Sequence, residues 1–99
     1  MANETNVSPT VCAYPDEQNE NVFVDIELPG VDKDNISLKI NDDSFTIEAT
    51  KEGVRYVGYY VFCCPVDPDK ATAKYTNGLL TVTAPYKQAM AAAKEIAIT

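Results

Sequence analysis

The chain contains no histidine, and without one the usual Ser–His and Cys–His nucleophile–base pairs cannot be assembled. Its four glycines are scattered, so neither a Walker-type phosphate loop nor a Rossmann fingerprint is present. No apolar run approaches the ~18 residues of a membrane helix. The opening Met1-Ala2-Asn3-Glu4-Thr5-Asn6 has neither the basic nor the apolar region of a secretory leader. The sequence therefore predicts a cytoplasmic protein that is not an enzyme and has no cofactor and no small-molecule substrate. Basic clusters are missing as well. With 8 Lys+Arg against 15 Asp+Glu and a formal net charge of −7, the chain has little with which to hold nucleic acid or an anionic membrane, and neither is expected as a partner.

Cysteine is scarce and odd in number: Cys12, Cys63 and Cys64. A disulfide framework is not expected from such a set. The adjacent Cys63 and Cys64 could enter a soft-metal site, but without histidine a four-ligand zinc site would have to be shared between chains. The alternative is that they are small apolar residues in or beside a strand, and no metal site is expected. Asp42-Asp43 and Asp67-x-Asp69 lack a complete calcium ligand pattern around them and read as turn and cap residues.

Helix-forming sequence is also short. Only Tyr86 to Lys94, with Gln88-Ala89-Met90-Ala91-Ala92-Ala93, has strong helix propensity, and its apolar stripe is thin, which suits a tether. Period-two alternation fills the rest. Val22, Val24, Ile26 and Leu28 fall on one face of a strand that ends at Pro29-Gly30. Ile36, Leu38 and Ile40 share a face of the next, and Phe45, Ile47 and Ala49 of a third, so the three are expected to form an antiparallel meander. Thr10 to Tyr14, between Pro9 and Pro15, reads as a short edge strand, and residues 1 to 9 as a disordered segment or short arm. The run from Tyr56 to Cys64 is apolar or aromatic on both faces and must be covered twice or lie at a partner interface. Strands at such intervals, with turn residues between, predict an all-β, antiparallel, immunoglobulin-like β-sandwich.

Charge is unevenly divided. Residues 1 to 50 hold eleven acids against two lysines, and residues 51 to 99 hold four acids against six bases, a polarity that fits a solvated acidic face or the registration of two protomers.

The most informative stretch runs from Val66 to Pro85. Asp67-Pro68-Asp69 places a capping carboxylate before a proline suited to the first turn of a helix, giving about one turn before a strand begins at Thr72. Asn77-Gly78 then lies between two strand-like runs and supplies the positive φ angles of a two-residue hairpin.

That order, with Ala73-x-x-x-Asn77-Gly78-Leu79-Leu80 inside it, resembles the signature of the α-crystallin domain of small heat shock proteins. Leu28-Pro29-Gly30-Val31 looks like the family's Leu-Pro-Gly-Val segment, and Ile96-Ala97-Ile98 is similar to its Ile-x-Ile anchor. The resemblance implies a short flexible arm over 1–9, an α-crystallin domain over 10–86 and a C-terminal extension with the anchor over 87–99. It also implies an ATP-independent holdase that assembles with itself as a homodimer or larger oligomer and binds unfolding client proteins. Carried over, Ala73, Asn77, Gly78, Leu79 and Leu80 set the hairpin, Ile96 and Ile98 are the oligomer anchor, and Ile36, Leu38, Ile40, Ala73 and Tyr75 line the groove receiving it. The family's bacterial, archaeal and plant members resemble one another in a long loop with a strand that swaps between partners, which the connection from Lys51 to Arg55 is too short to supply. A CS-domain-like co-chaperone, which shares the sandwich and binds a folded partner without holdase activity, is the alternative.

Overall fold

The computed structural model describes residues 4–87 and 96–99. Eight strands follow one another: β1 (Thr5–Val7), β2 (Thr10–Pro15), β3 (Asn21–Glu27), β4 (Ile36–Ile40), β5 (Ser44–Lys51), β6 (Val54–Val61), β7 (Thr72–Thr76) and β8 (Leu79–Pro85). They form two four-stranded sheets, ordered β1-β6-β5-β4 and β2-β3-β8-β7. Every pairing is antiparallel except that of β1 with β6. The all-β sandwich read from the alternation is therefore the fold.

The buried side chains come from the inner faces of the central strands. Val22, Val24 and Ile26 on β3, Phe45, Ile47 and Ala49 on β5, and Leu80, Val82 and Ala84 on β8 make one cluster. Because successive strand residues point to opposite faces, three apolar residues two apart on each strand suffice to seal one side of a sheet. Leu28, Val31 and Val66 close the ends of this core from the connections.

Three sequence expectations are corrected. The meander does not begin at β3. Leu28-Pro29-Gly30-Val31 carries the chain from one sheet to the other, burying Leu28 and Val31 in the crossing, so the meander is β4-β5-β6 while β3 pairs with β2 and β8. Alternation fixes which face of a strand is apolar, and that face can be satisfied in either sheet. Second, the polar segment expected to be loose contains a strand. Thr5 to Val7 lie parallel to Val54 to Tyr56, and the Thr5 amide donates to the Gly53 carbonyl at 3.0 Å, using backbone groups that an edge strand leaves free. Third, the aromatic run does not stay in a strand to Cys64. β6 ends at Val61, and Cys63 and Cys64 occupy a bend beyond it.

β6 is covered on one face only. Tyr60 stacks on Phe45 inside, with ring centroids 5.1 Å apart, whereas Tyr59 and Val61 on the other face are 66% and 70% exposed. The expected edge strand β2 and the turn before β7 are as read. Pro68–Lys70 forms one 3-10 turn, and the Asp67 carboxylate accepts from the Asp69 amide at 3.1 Å. Of the segment given helix propensity, residues 88–95 lie outside the described residues. Tyr86 instead pairs with Val66 in an isolated bridge.

Candidate protein-binding groove

The Asn77-Gly78 turn decides where the groove lies. Asn77 and Gly78 have φ of 51° and 81°, the pair of left-handed residues that a tight hairpin between β7 and β8 requires. The turn packs on the Leu-Pro-Gly-Val crossing: the Leu28 amide donates to the Gly78 carbonyl at 2.8 Å, and a Cβ on residue 78 would stand 3.2 Å from Pro29 Cα. Two motifs fifty residues apart in the chain thus meet as one backbone contact.

Tyr75 fastens the same crossing from β7. Its hydroxyl lies 2.7 Å from both the Leu28 and the Val31 carbonyl oxygens and shares its one proton between them. A second tie comes from the opposite sheet, where Lys51 Nζ donates to the Pro29 carbonyl at 2.8 Å and sits 5.6 Å from the Tyr56 ring centroid. The crossing is consequently held by both sheets.

β4 and β7 are the edge strands on this side of the sandwich. Between them runs a groove of about 200 Å³, lined by Ile36, Leu38, Ala73 and Tyr75, with Lys33 and Leu80 completing it. Four of the five groove residues named from sequence are therefore brought together. Ile40 is not among the lining residues, although it packs against the core as a half-buried side chain. Leu80 was named only for the hairpin, yet its side chain, 5% exposed, contributes to the groove. Lys33 was missed; the 3-10 turn Lys33–Asn35 that places it is legible only as a short polar turn. Ile96 and Ile98, the residues named as anchor, are 76% and 96% exposed.

A second groove, about 340 Å³, opens on the opposite side between β2 and β6, with Val11, Tyr14, Phe45, Tyr60, Cys63 and Tyr86 among its walls. Sequence reading had no signal for it, because its two strands are some forty residues apart and only sheet order brings them together. Burial raises the Tyr86 pKa above the usual phenol range, with the neighbouring Cys63 adding to the effect. On the rim, the Tyr14 hydroxyl donates to Asp25 at 3.1 Å, which raises its pKa as well.

Among the described residues no three His, Cys, Asp or Glu side chains cluster as metal ligands would, and no helix is long and apolar enough to cross a membrane. Both grooves are apolar surfaces beside open strand edges, suited to extended peptide segments.

Comparison with known proteins agrees with this geometry. The Hsp20/alpha crystallin family matches residues 15–99. Heat shock protein 16 of Schizosaccharomyces pombe is 30% identical over 93% of this chain and 76% of its own length. Small heat shock protein C4 of Rickettsia felis is 33% identical over 83% of this chain, which spans 60% of that protein. The solved structure of heat shock protein 16.0 from Schizosaccharomyces pombe superposes with a TM-score of 0.72 at 28% identity, covering 94% of this chain and 99% of the other. With a match across most of its length, and with the hairpin and the crossing in the register described above, this chain belongs to the Hsp20/alpha crystallin family of small heat shock proteins.

Proposed function

We propose that the protein is an ATP-independent holdase that binds partly unfolded chains, suppresses their aggregation and assembles as dimers or larger oligomers in the cytoplasm. The observation that carries this reading is the apolar groove between β4 and β7, open beside two unpaired strand edges, in a chain that also exposes Ile96 and Ile98. In an extended segment those isoleucines leave the same face, and fully burying each is worth about 1.5–3 kcal/mol. Docking of Ile96 and Ile98 from one copy into the groove of another therefore offsets part of the cost of association, and several such contacts in one assembly reinforce each other. Client capture uses the same term, since covering apolar surface needs no nucleotide. The acidic net charge of −7 supports a role without nucleic-acid or membrane partners.

The test replaces Ile96 and Ile98 together with glycine. Light scattering is expected to show large assemblies collapsing to dimers, and an unchanged particle size refutes the anchor. Suppression of the aggregation of a heat-labile enzyme in the absence of ATP tests the holdase itself. One observation favours the co-chaperone reading: Lys51 pairs directly with Val54 across the two-residue turn Glu52-Gly53, so this connection carries no strand to exchange with a partner. A monomer that leaves the enzyme's aggregation unchanged and retains one specific chaperone partner would establish that reading instead.

A further inference from the structure

Cys63 and Cys64 take no part in the anchor contact proposed for the groove between β4 and β7. The Cys63 thiol donates to the Cys64 sulfur at 3.4 Å, so both sulfurs lie on the same side of the bend that follows β6. That bend is held at both ends. The Phe62 amide donates to the Asp43 carbonyl at 2.8 Å, the Val66 amide to the Asp42 carbonyl at 2.7 Å, and the Lys87 amide to the Pro65 carbonyl at 3.0 Å. Cys64 is half-buried against the core while Cys63 is exposed and forms part of the wall of the groove between β2 and β6. The two thiols are thus preorganised, reachable from solvent, and next to an apolar recess.

Two partners for the pair are disfavoured by geometry. Adjacent Cα atoms stand ~3.8 Å apart across a trans peptide, short of the roughly 4.4–6.8 Å that unstrained disulfides span, so a bond between these neighbours is strained. Zinc fits no better: bonds of ~2.3 Å at tetrahedral angles hold two sulfurs about 3.8 Å apart, and the remaining ligands are absent among the described residues. A pyramidal trivalent centre has bond angles nearer 90° and takes a shorter bite.

We infer that Cys63 and Cys64 form a bidentate thiol site for trivalent organoarsenicals, with the organic arm of the ligand lying in the groove between β2 and β6. In the condensation, each sulfur forms one bond to arsenic and the arsenic–oxygen bonds of R–As=O are given up. The two thiol protons leave with that oxygen as one water. Arsenic remains trivalent, so no oxidant or reductant is required. The condensation accepts neutral thiols, the state favoured at Cys64, whose pKa is raised by its interaction with the Cys63 sulfur and by burial. Val11, Tyr14 and Tyr86 offer the apolar surface for an aryl group.

The experiment uses the full reduced chain and phenylarsine oxide, with intact-mass spectrometry as readout. One adduct per chain is expected, surviving excess monothiol and removed by 2,3-dimercaptopropanol. Cys12→Ser, on the exposed face of β2, should leave it unchanged. Cys63→Ser and Cys64→Ser should each weaken binding by roughly a hundredfold or more, the gain lost when the second bond is no longer intramolecular. Urea midpoints verify that each variant folds, and alanine at either position is the substitute if serine does not. Phenylarsine oxide should bind roughly tenfold tighter than arsenite because one ring face is covered. Failure to form the adduct, its persistence in either single variant, or dependence on Cys12 overturns the thiol site. Equal affinity for arsenite and the aryl compound removes the groove from it.

Discussion

Two glycines with nearly the same backbone angle separate a local cost from a tertiary one. Gly53 has φ 78° and Gly78 has φ 81°, and each ends a two-residue hairpin turn. A Cβ on Gly53 meets nothing within 4 Å, whereas one on Gly78 lies 3.2 Å from Pro29 Cα, which is backbone and cannot rotate away. Alanine in the left-handed region costs about 1–2 kcal/mol, partly offset by the ~0.4–1 kcal/mol gained from a less flexible unfolded chain. Gly53→Ala is therefore expected to destabilise by about 1 kcal/mol. Gly78→Ala adds the displacement of the Leu28-Pro29 backbone, of the order of 1–3 kcal/mol for overpacking, giving about 2–4 kcal/mol in all. At ~4–8 °C per kcal/mol for a domain of this size, the two melting temperatures should differ by about 5 °C or more. Urea and thermal unfolding of both variants measure the gap. Equal losses, or a larger loss for Gly53→Ala, would refute the claim that the hairpin is seated on the crossing.

Tyr75→Phe removes the hydroxyl shared between the Leu28 and Val31 carbonyls; the Leu28 oxygen keeps the Val31 amide at 3.3 Å, whereas the Val31 oxygen loses its hydroxyl donor. A loss of about 1–3 kcal/mol is expected in urea unfolding, and a midpoint equal to that of the parent chain would show that the bonds contribute nothing. The Asp16 carboxylate, which accepts from the Asn21 side chain at 2.9 Å and the Glu20 amide at 2.8 Å, has its pKa lowered by those bonds, that to Asn21 foremost. A carboxyl whose folded value is depressed contributes stability that is fully present above its unfolded pKa of about 4 and is lost as pH falls through the folded value. The difference in urea midpoint between the parent chain and Asp16→Ala should accordingly narrow on acidification below about pH 4, and a gap that stays constant argues against the linkage.

Much of this was legible in the residues. Val22, Val24 and Ile26 announce an inward face by alternation alone, and Asn77-Gly78 announces a hairpin because few residue pairs accept two positive φ angles. The groove residues Ile36, Leu38, Ala73 and Tyr75 could be named from the family resemblance, which carries spatial information that periodicity does not contain. Lys33, the pairing of Thr5 to Val7 with β6, and the recess beside Cys63 had no such herald.

The sequence by itself determined the strand faces, the turns and the absence of histidine-based chemistry, because these depend on side-chain period, backbone sterics and composition within a few residues. Only the tertiary structure decided which sheet β3 joins, which edges remain open and which distant strands wall each groove. An apolar strand face is satisfied by any apolar layer laid over it. The choice among layers was made where Leu28 and Val31 could be buried and their carbonyls reached by Tyr75, a condition set by residues more than forty positions away.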